Sequence, residues 1–474
     1  MIALAFRELR HRGSQHTSSL LVAIITSVFA TMVIELETVL SVQSVGGQFV
    51  SHGFVRALLG ILSVLFLFVA IFVACIVTAN TFGIIMTGRA KHIALLRLLG
   101  ATSRSLRGSI AIEGVIVGFV GSAAGLILGL LLIAGTYQAL VDNGTFVPVP
   151  INLGTPVLVA PVIVGILSTA GSAWFGSRKL LSSSPLEAAA HAQEPSVATL
   201  RSIGARNRVA VLVMFFGGLG LLLVGVVIGL RSPLGVLIAA PGGGLSFLGF
   251  VLGSNLFIPP ILKRVGALTG PGVSSALASA NALRYPARAS RSTIGLIIGV
   301  TLVTMFTVAG QSFAAETTPV ANNATGAAAG SDQTFLHLTM GVLDVLIGFS
   351  LVIAAIGLVN SLSLSVLQRR REIGLLRALG FTRGQVRRMV LAESVQLTIV
   401  GGGVGLILGL VYGWAGVLAA IASDGHIGGF FWPTIPAWII VSIVAGALVI
   451  SVVASVLPAR RATRIAPVRA LAAD

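Results

Sequence analysis

The charged residues best placed to do chemistry in this sequence sit in two short segments, 89–100 and 369–380. In the second, Ile373, Leu376 and Leu379 fall on one helical face, with Arg369, Glu372 and Arg377 elsewhere and Arg371 beside them. Such a helix lies at a membrane surface and offers its charges outward, ending at a glycine C-cap, Gly380. In the first segment Arg89, Lys91, His92, Arg97 and Gly100 take the corresponding places. What the pattern offers is outward-facing charge rather than bond-making groups. A generic basic loop would account for the charge, but not for a patterned segment that occurs twice.

Other chemistries find little support. No Gly-x-x-x-x-Gly-Lys-Ser/Thr sequence is present, so the chain does not hold a nucleotide phosphate in that manner. The glycine-rich stretches at 241–244 and 403–405 sit in apolar runs, not between a strand and a helix. The seven histidines are scattered, and His52, His337 and His426 are not spaced as a metal site. Cys75 is the single cysteine, which excludes an intrachain disulfide. No catalytic residue and no metal ligand is assigned. Among carboxylates in apolar surroundings, Glu113 and Glu393 lie beside basic loops, where an ion pair is the simplest role. Glu35, Glu37 and Asp344 lie toward the opposite end, and Asp344 is the candidate for contact with a substrate or cation, since a carboxylate inside a membrane is costly.

The elements that must position these groups are membrane spans. Of 474 residues 55% are hydrophobic and only 9% charged, too few charges to cover a soluble protein of this size. Ten apolar runs of crossing length are expected, near 18–40, 57–82, 110–136, 155–177, 209–230, 234–258, 292–314, 339–366, 389–415 and 436–458. The first is too long for the apolar core of a signal peptide and is kept as a span. With the N-terminus in the cytoplasm, 29 of the 31 Lys and Arg residues fall on the cytoplasmic side, leaving only Arg56 and Arg231 outside. Both termini are therefore expected in the cytoplasm. The net charge of +17 reflects topology and contact with membrane lipids, and nucleic acid is not an expected partner.

An internal repeat organises the spans. Residues 93–100 match 373–380 at an offset of 280, which also carries Asn80 to Asn360, Glu113 to Glu393 and 125–130 onto the identical 405–410. The fold expected is all-α and integral to the membrane, with no large extracytoplasmic domain. A four-span repeat at 1–195 and a second at 272–474 flank two linking spans within 196–271, a 4+2+4 layout. An even number of spans in each repeat gives the copies one orientation, a parallel repeat about an axis along the membrane normal. The third span of each repeat carries glycine at four-residue spacing: Gly114 and Gly118, then Gly121, Gly125 and Gly129; and Gly401, Gly405, Gly409 and Gly413. Such stripes let helix backbones approach closely, either as fixed packing or as faces that slide.

The run 371–380 (Arg-Glu-Ile-Gly-Leu-Leu-Arg-Ala-Leu-Gly), with Glu393, a glycine-rich span and the closing Pro458-Ala-Arg-Arg and Pro467-Val-Arg-Ala, resembles the FtsX-like (FtsX/MacB-type) ABC transporter permeases. The match is specific in the second repeat and weaker in the first, where Lys91-His92 replaces Arg371-Glu372. The resemblance implies a bacterial plasma-membrane permease whose repeated segments dock on a separate ABC ATPase, in two copies. The ATP and Mg would then be held by that partner, this chain binding no cofactor and catalysing nothing itself. It implies export or extraction of an amphipathic substrate such as a lipid, peptide or hydrophobic drug. Some relatives of this kind instead pass ATPase motion to cell-wall hydrolases or sensor kinases, a second expectation.

Overall fold

The computed structural model describes residues 19–32, 34–35, 90–142, 158–181, 205–268, 286–323, 379–423 and 429–435, with scattered positions at 68–82, 280, 347–352 and 437–449. Among the described residues the regular structure is entirely helical. The chain divides into two compact units, Met1–Ala192 and Gln193–Asp474.

The first unit contains α1 (Ser19–Met32), α2 (Ala90–Leu98), α3 (Ser103–Asp142) and α4 (Val159–Leu181). The second contains α5 (Ala205–Gly229), a short turn of 3-10 helix at Pro233–Gly235, then α6 (Val236–Leu252), α7 (Ser254–Leu268), α8 (Pro286–Asn323) and α9 (Arg383–Ile421). Five helical stretches are long and apolar enough to cross a membrane: Ser103–Ala139, Arg208–Gly229, Pro233–Leu252, Thr293–Pro319 and Gly384–Ile421. Ser19–Met32 and Val159–Trp174 are shorter apolar helices. The remaining expected spans, 57–82, 339–366 and 436–458, fall mostly outside the described residues, and the full count of ten goes beyond them.

Two differences from the sequence expectation have local causes. The run expected as one span at 234–258 stops at Leu252, because Gly253 caps α6 and donates its N–H to the Gly249 carbonyl. The chain restarts as α7, where Pro259 and Pro260 each withhold a helical N–H. The spans expected at 110–136 and 389–415 are cores of much longer helices of 40 and 39 residues. At about 1.5 Å per residue each extends roughly 60 Å, twice the bilayer core of about 30 Å. Their first two turns carry Arg104 and Arg107 in α3, and Arg383, Arg387 and Arg388 in α9.

In the second unit α8 is the enclosed helix. Ile297, Ile298 and Val308 are essentially inaccessible. The linking pair α5–α6 packs within this unit. Ser246 of α6 hydrogen-bonds the Tyr412 hydroxyl of α9 at 3.0 Å, and Phe247 meets the Tyr412 ring edge to face. By contrast α5 exposes Val213, Phe216, Leu223 and Val227, an apolar face suited to lipid.

Candidate functional site

The first repeated segment is α2 with the turn that follows it. Ile93 is buried with Phe82, Ile110 of α3 and Ala173 of α4, and Leu106 packs against this group. One buried side chain thus ties a helix of nine residues to the long α3 and to α4. The opposite side is open: Leu95, Leu98 and Leu99 are 58%, 54% and 85% exposed. Arg97, in the last turn, is half-buried.

α2 ends in a Schellman motif. The Ala101 N–H donates to the Leu96 carbonyl and the Gly100 N–H to the Arg97 carbonyl, at 2.9 and 3.0 Å. Gly100 has φ +96°, a conformation that a side chain disfavours. Two residues on, Thr102 accepts a hydrogen bond from the Ser105 N–H at 3.2 Å and caps α3. The second segment repeats this turn. Gly380 has φ +97°, and Thr382 caps α9 with a full capping box: its hydroxyl accepts from the Gln385 N–H at 3.2 Å, and its own N–H donates to Gln385 Oε1 at 2.9 Å. Leu379 is 73% exposed, matching Leu99.

Each turn therefore leads directly into a helix long enough to cross the membrane. Farther along, Glu113 and Glu393 are both buried at corresponding positions. Lys91 and His92 lie in α2, but their side chains fall outside the described residues. So do Arg89, Arg369, Arg371, Glu372, Arg377 and the candidate contact residue Asp344. The two cap threonines escaped the sequence reading, although Thr102 and Thr382 sit at the same offset of 280 and each precedes a basic helix start.

The glycine stripes are where helices meet. In α3 they serve two neighbours. A Cβ at Gly114 or Gly118 would fall on Thr169, Ala170, Ala173 or Ile166 of α4, whereas one at Gly121, Gly125 or Gly129 would fall on Ala23, Ser27 or Thr31 of α1. In α9 the four glycines all face α8: Gly401 meets Thr293 and Leu296, Gly405 meets Val300, Gly409 meets Thr301 and Thr304, and Gly413 meets Met305 and Val308. The Ser27 hydroxyl also donates to the Ser122 carbonyl at 2.8 Å, an α1–α3 bond between backbones held close.

A family model described as FtsX-like permease C-terminal matches residues 64–185 and again residues 345–467, together more than half of the chain and once on each repeat. The chain belongs to the FtsX-like permease family. Its relatives include an uncharacterized ABC transporter permease, YknZ, of Bacillus subtilis, 37% identical over 131 residues, covering 27% of this chain and 30% of that protein. The pyoverdine export ATP-binding/permease protein PvdT of Pseudomonas putida is 35% identical over 142 residues, 30% of this chain and 20% of that protein. The macrolide export ATP-binding/permease protein MacB of Hahella chejuensis is 31% identical over 143 residues, with the same coverage. The aligned stretch spans a third or less of each relative. As an FtsX-like permease with several apolar helices of crossing length, the chain is a multi-pass membrane protein.

Proposed function

We propose that this chain is the transmembrane permease of an ABC transporter, with both halves in one chain, driven by two copies of a separate ATPase that holds ATP and Mg. The observation that carries this reading is the duplicated turn. At Leu99–Thr102 and at Leu379–Thr382 an exposed leucine, a left-handed glycine and a threonine cap join a docking segment to a helix of 40 or 39 residues. A displacement of the segment is passed into a rigid helix that crosses the membrane, and Ile93 couples the first copy to α4 as well. The concentration of 29 Lys and Arg on one side supports the plasma membrane with both termini cytoplasmic.

Export is the activity in the names of two relatives, and two relatives are named as fused ATP-binding/permease proteins. This sequence lacks the phosphate-binding loop, so the nucleotide would be bound in another subunit. The substrate we favour is amphipathic, because few ionisable side chains lie within the spans. Co-expression with the neighbouring ATPase gene tests the proposal. The ATPase is expected to co-purify, and Glu372→Ala with Arg377→Ala is expected to lower ATP-driven transport into vesicles at least tenfold. Failure of any ATPase to associate, with activity intact in that double variant, would sink it. ATPase binding without vesicle transport would favour the regulatory role instead.

A further inference from the structure

Glu35, in helical backbone just beyond α1, is 1% exposed, and neither carboxylate oxygen has a hydrogen-bond partner among the described residues. One turn earlier in the sequence, the Thr31 hydroxyl donates to the Ser27 carbonyl at 2.8 Å. A buried carboxylate without a partner is among the most unfavourable groups a membrane helix carries, and such groups are as a rule paired or functional.

The other repeat packs an apolar residue at the position that matches this carboxylate. Along α3, Gly121, Gly125 and Gly129 step over Leu20/Ala23, Ile24/Ser27 and Val28/Thr31. Along α9, Gly401, Gly405 and Gly409 step over Thr293/Leu296, Ile297/Val300 and Thr301/Thr304. The two ladders match Thr31 with Thr304, and one turn later Glu35 with Val308. Val308 is also 1% exposed, and its Cβ is 3.1 Å from where a Cβ on Gly413 would lie. The residue of α3 level with Gly413 is Ile133, itself buried. Where one repeat has valine and glycine at this level, the other has glutamate and isoleucine.

Resting on the permease reading above, we infer that Glu35 is a binding site for the cationic group of an amphipathic substrate, an ammonium or guanidinium carried on an apolar body. A single buried carboxylate in an otherwise apolar helix suits that chemistry: the charge fixes the head, and the apolar surroundings take the body. On the topology above it lies toward the outer leaflet, where only Arg56 and Arg231 supply cations from this chain. Access follows when α1 and α3 part at this end.

The test uses the full chain in nanodiscs of phosphatidylcholine, with tetraphenylphosphonium as the cationic probe and Nile red as a neutral one. Glu35→Gln and Glu35→Val are expected to weaken tetraphenylphosphonium binding roughly tenfold or more, leaving Nile red binding unchanged. Glu35→Asp is expected to keep cation binding, and Glu35→Val to melt no lower than the parent because it restores the valine of the other repeat. Equal cation binding in the Gln and Val variants would overturn the inference, as would parallel loss of both probes. So would a gain of cation binding in Arg56→Gln that Glu35→Gln abolishes, since the carboxylate would then serve an internal ion pair. Should the parent bind neither probe, the inference falls, and ATP-driven vesicle transport by the ATPase complex decides separately whether the permease reading falls with it.

Discussion

Gly100 and Gly380 adopt nearly the same left-handed φ, and a Cβ at either would meet nothing within 4 Å. Any cost of substitution there is therefore a backbone cost, about 1–2 kcal/mol for a residue with a Cβ and least for asparagine. Gly100→Val is expected to lower the melting temperature and uncouple ATPase activity from transport, whereas Gly100→Asn stays near the parent in both assays. The caps give a second, graded expectation. Thr382 forms a reciprocal box with Gln385, and Thr102 forms a single bond to the Ser105 N–H. Thr382→Ala should cost about 1 kcal/mol and speed hydrogen exchange in the first turn of α9, with a smaller effect for Thr102→Ala in α3. The glycine at each turn was legible, because glycine after a leucine-rich helical pattern is a strong stop signal. The threonines were not singled out, since a cap depends on backbone angles that residue type alone leaves open. Burial of Glu35 was beyond the sequence for a related reason: alternation of apolar residues marks a span, but not the neighbour that covers one position of it.

Four-residue glycine spacing predicts close helix contact, and contact is what the stripes make, but spacing does not name the partner. In α9 all four glycines meet α8, whereas in α3 the stripe divides between α4 and α1 at Gly118–Gly121. That division needs the angular position of each neighbour, which long-range packing sets. The same geometry gives glycine-to-alanine changes of opposite sign. A Cβ at Gly409 would lie 2.6 Å from the Thr301 carbonyl oxygen and from Thr304 Cβ, closer than atoms tolerate. One at Gly416, in the same helix, would meet nothing within 4 Å. Gly409→Ala should destabilise by about 1–3 kcal/mol through overpacking, and Gly416→Ala should stabilise by about 0.5–1 kcal/mol through helix propensity. Thermal unfolding in nanodiscs reads both, and equal effects at the two sites would contradict the packing described. At the far end of α9, Trp414, Phe430 and Trp432 form a cluster with ring centroids 5.6 to 5.8 Å apart, secured by the Trp414 Nε1–H to Phe431 carbonyl bond at 2.9 Å. Aromatics grouped in this way, with Phe430 and Trp432 exposed and Trp414 half-buried, suit the membrane–water interface, where they would hold one end of α9.

At the scale of the whole chain, two helices of 40 and 39 residues each follow a repeated turn. Apolar length made the membrane class legible, and the offset of 280 made the duplication legible, but neither indicated that the third span of each repeat would run on without a break as α3 and α9 up to the preceding turn. A continuous helix transmits a push because its hydrogen-bond ladder resists bending, and a flexible insertion at its start removes that stiffness without altering the residues of the segment before it. Inserting Gly-Ser-Gly between Ala101 and Thr102 should therefore leave the ATPase bound and lower ATP-driven transport severalfold. The same insertion between Phe381 and Thr382 should do so more strongly, because the second repeat keeps the Arg371-Glu372 pair where the first has Lys91-His92. Co-purification measures binding and vesicle uptake measures transport, so the two effects separate. Transport that survives both insertions would mean that force reaches the membrane by another route. Loss of ATPase binding in either would place the turn itself, rather than the helix behind it, in the docking surface.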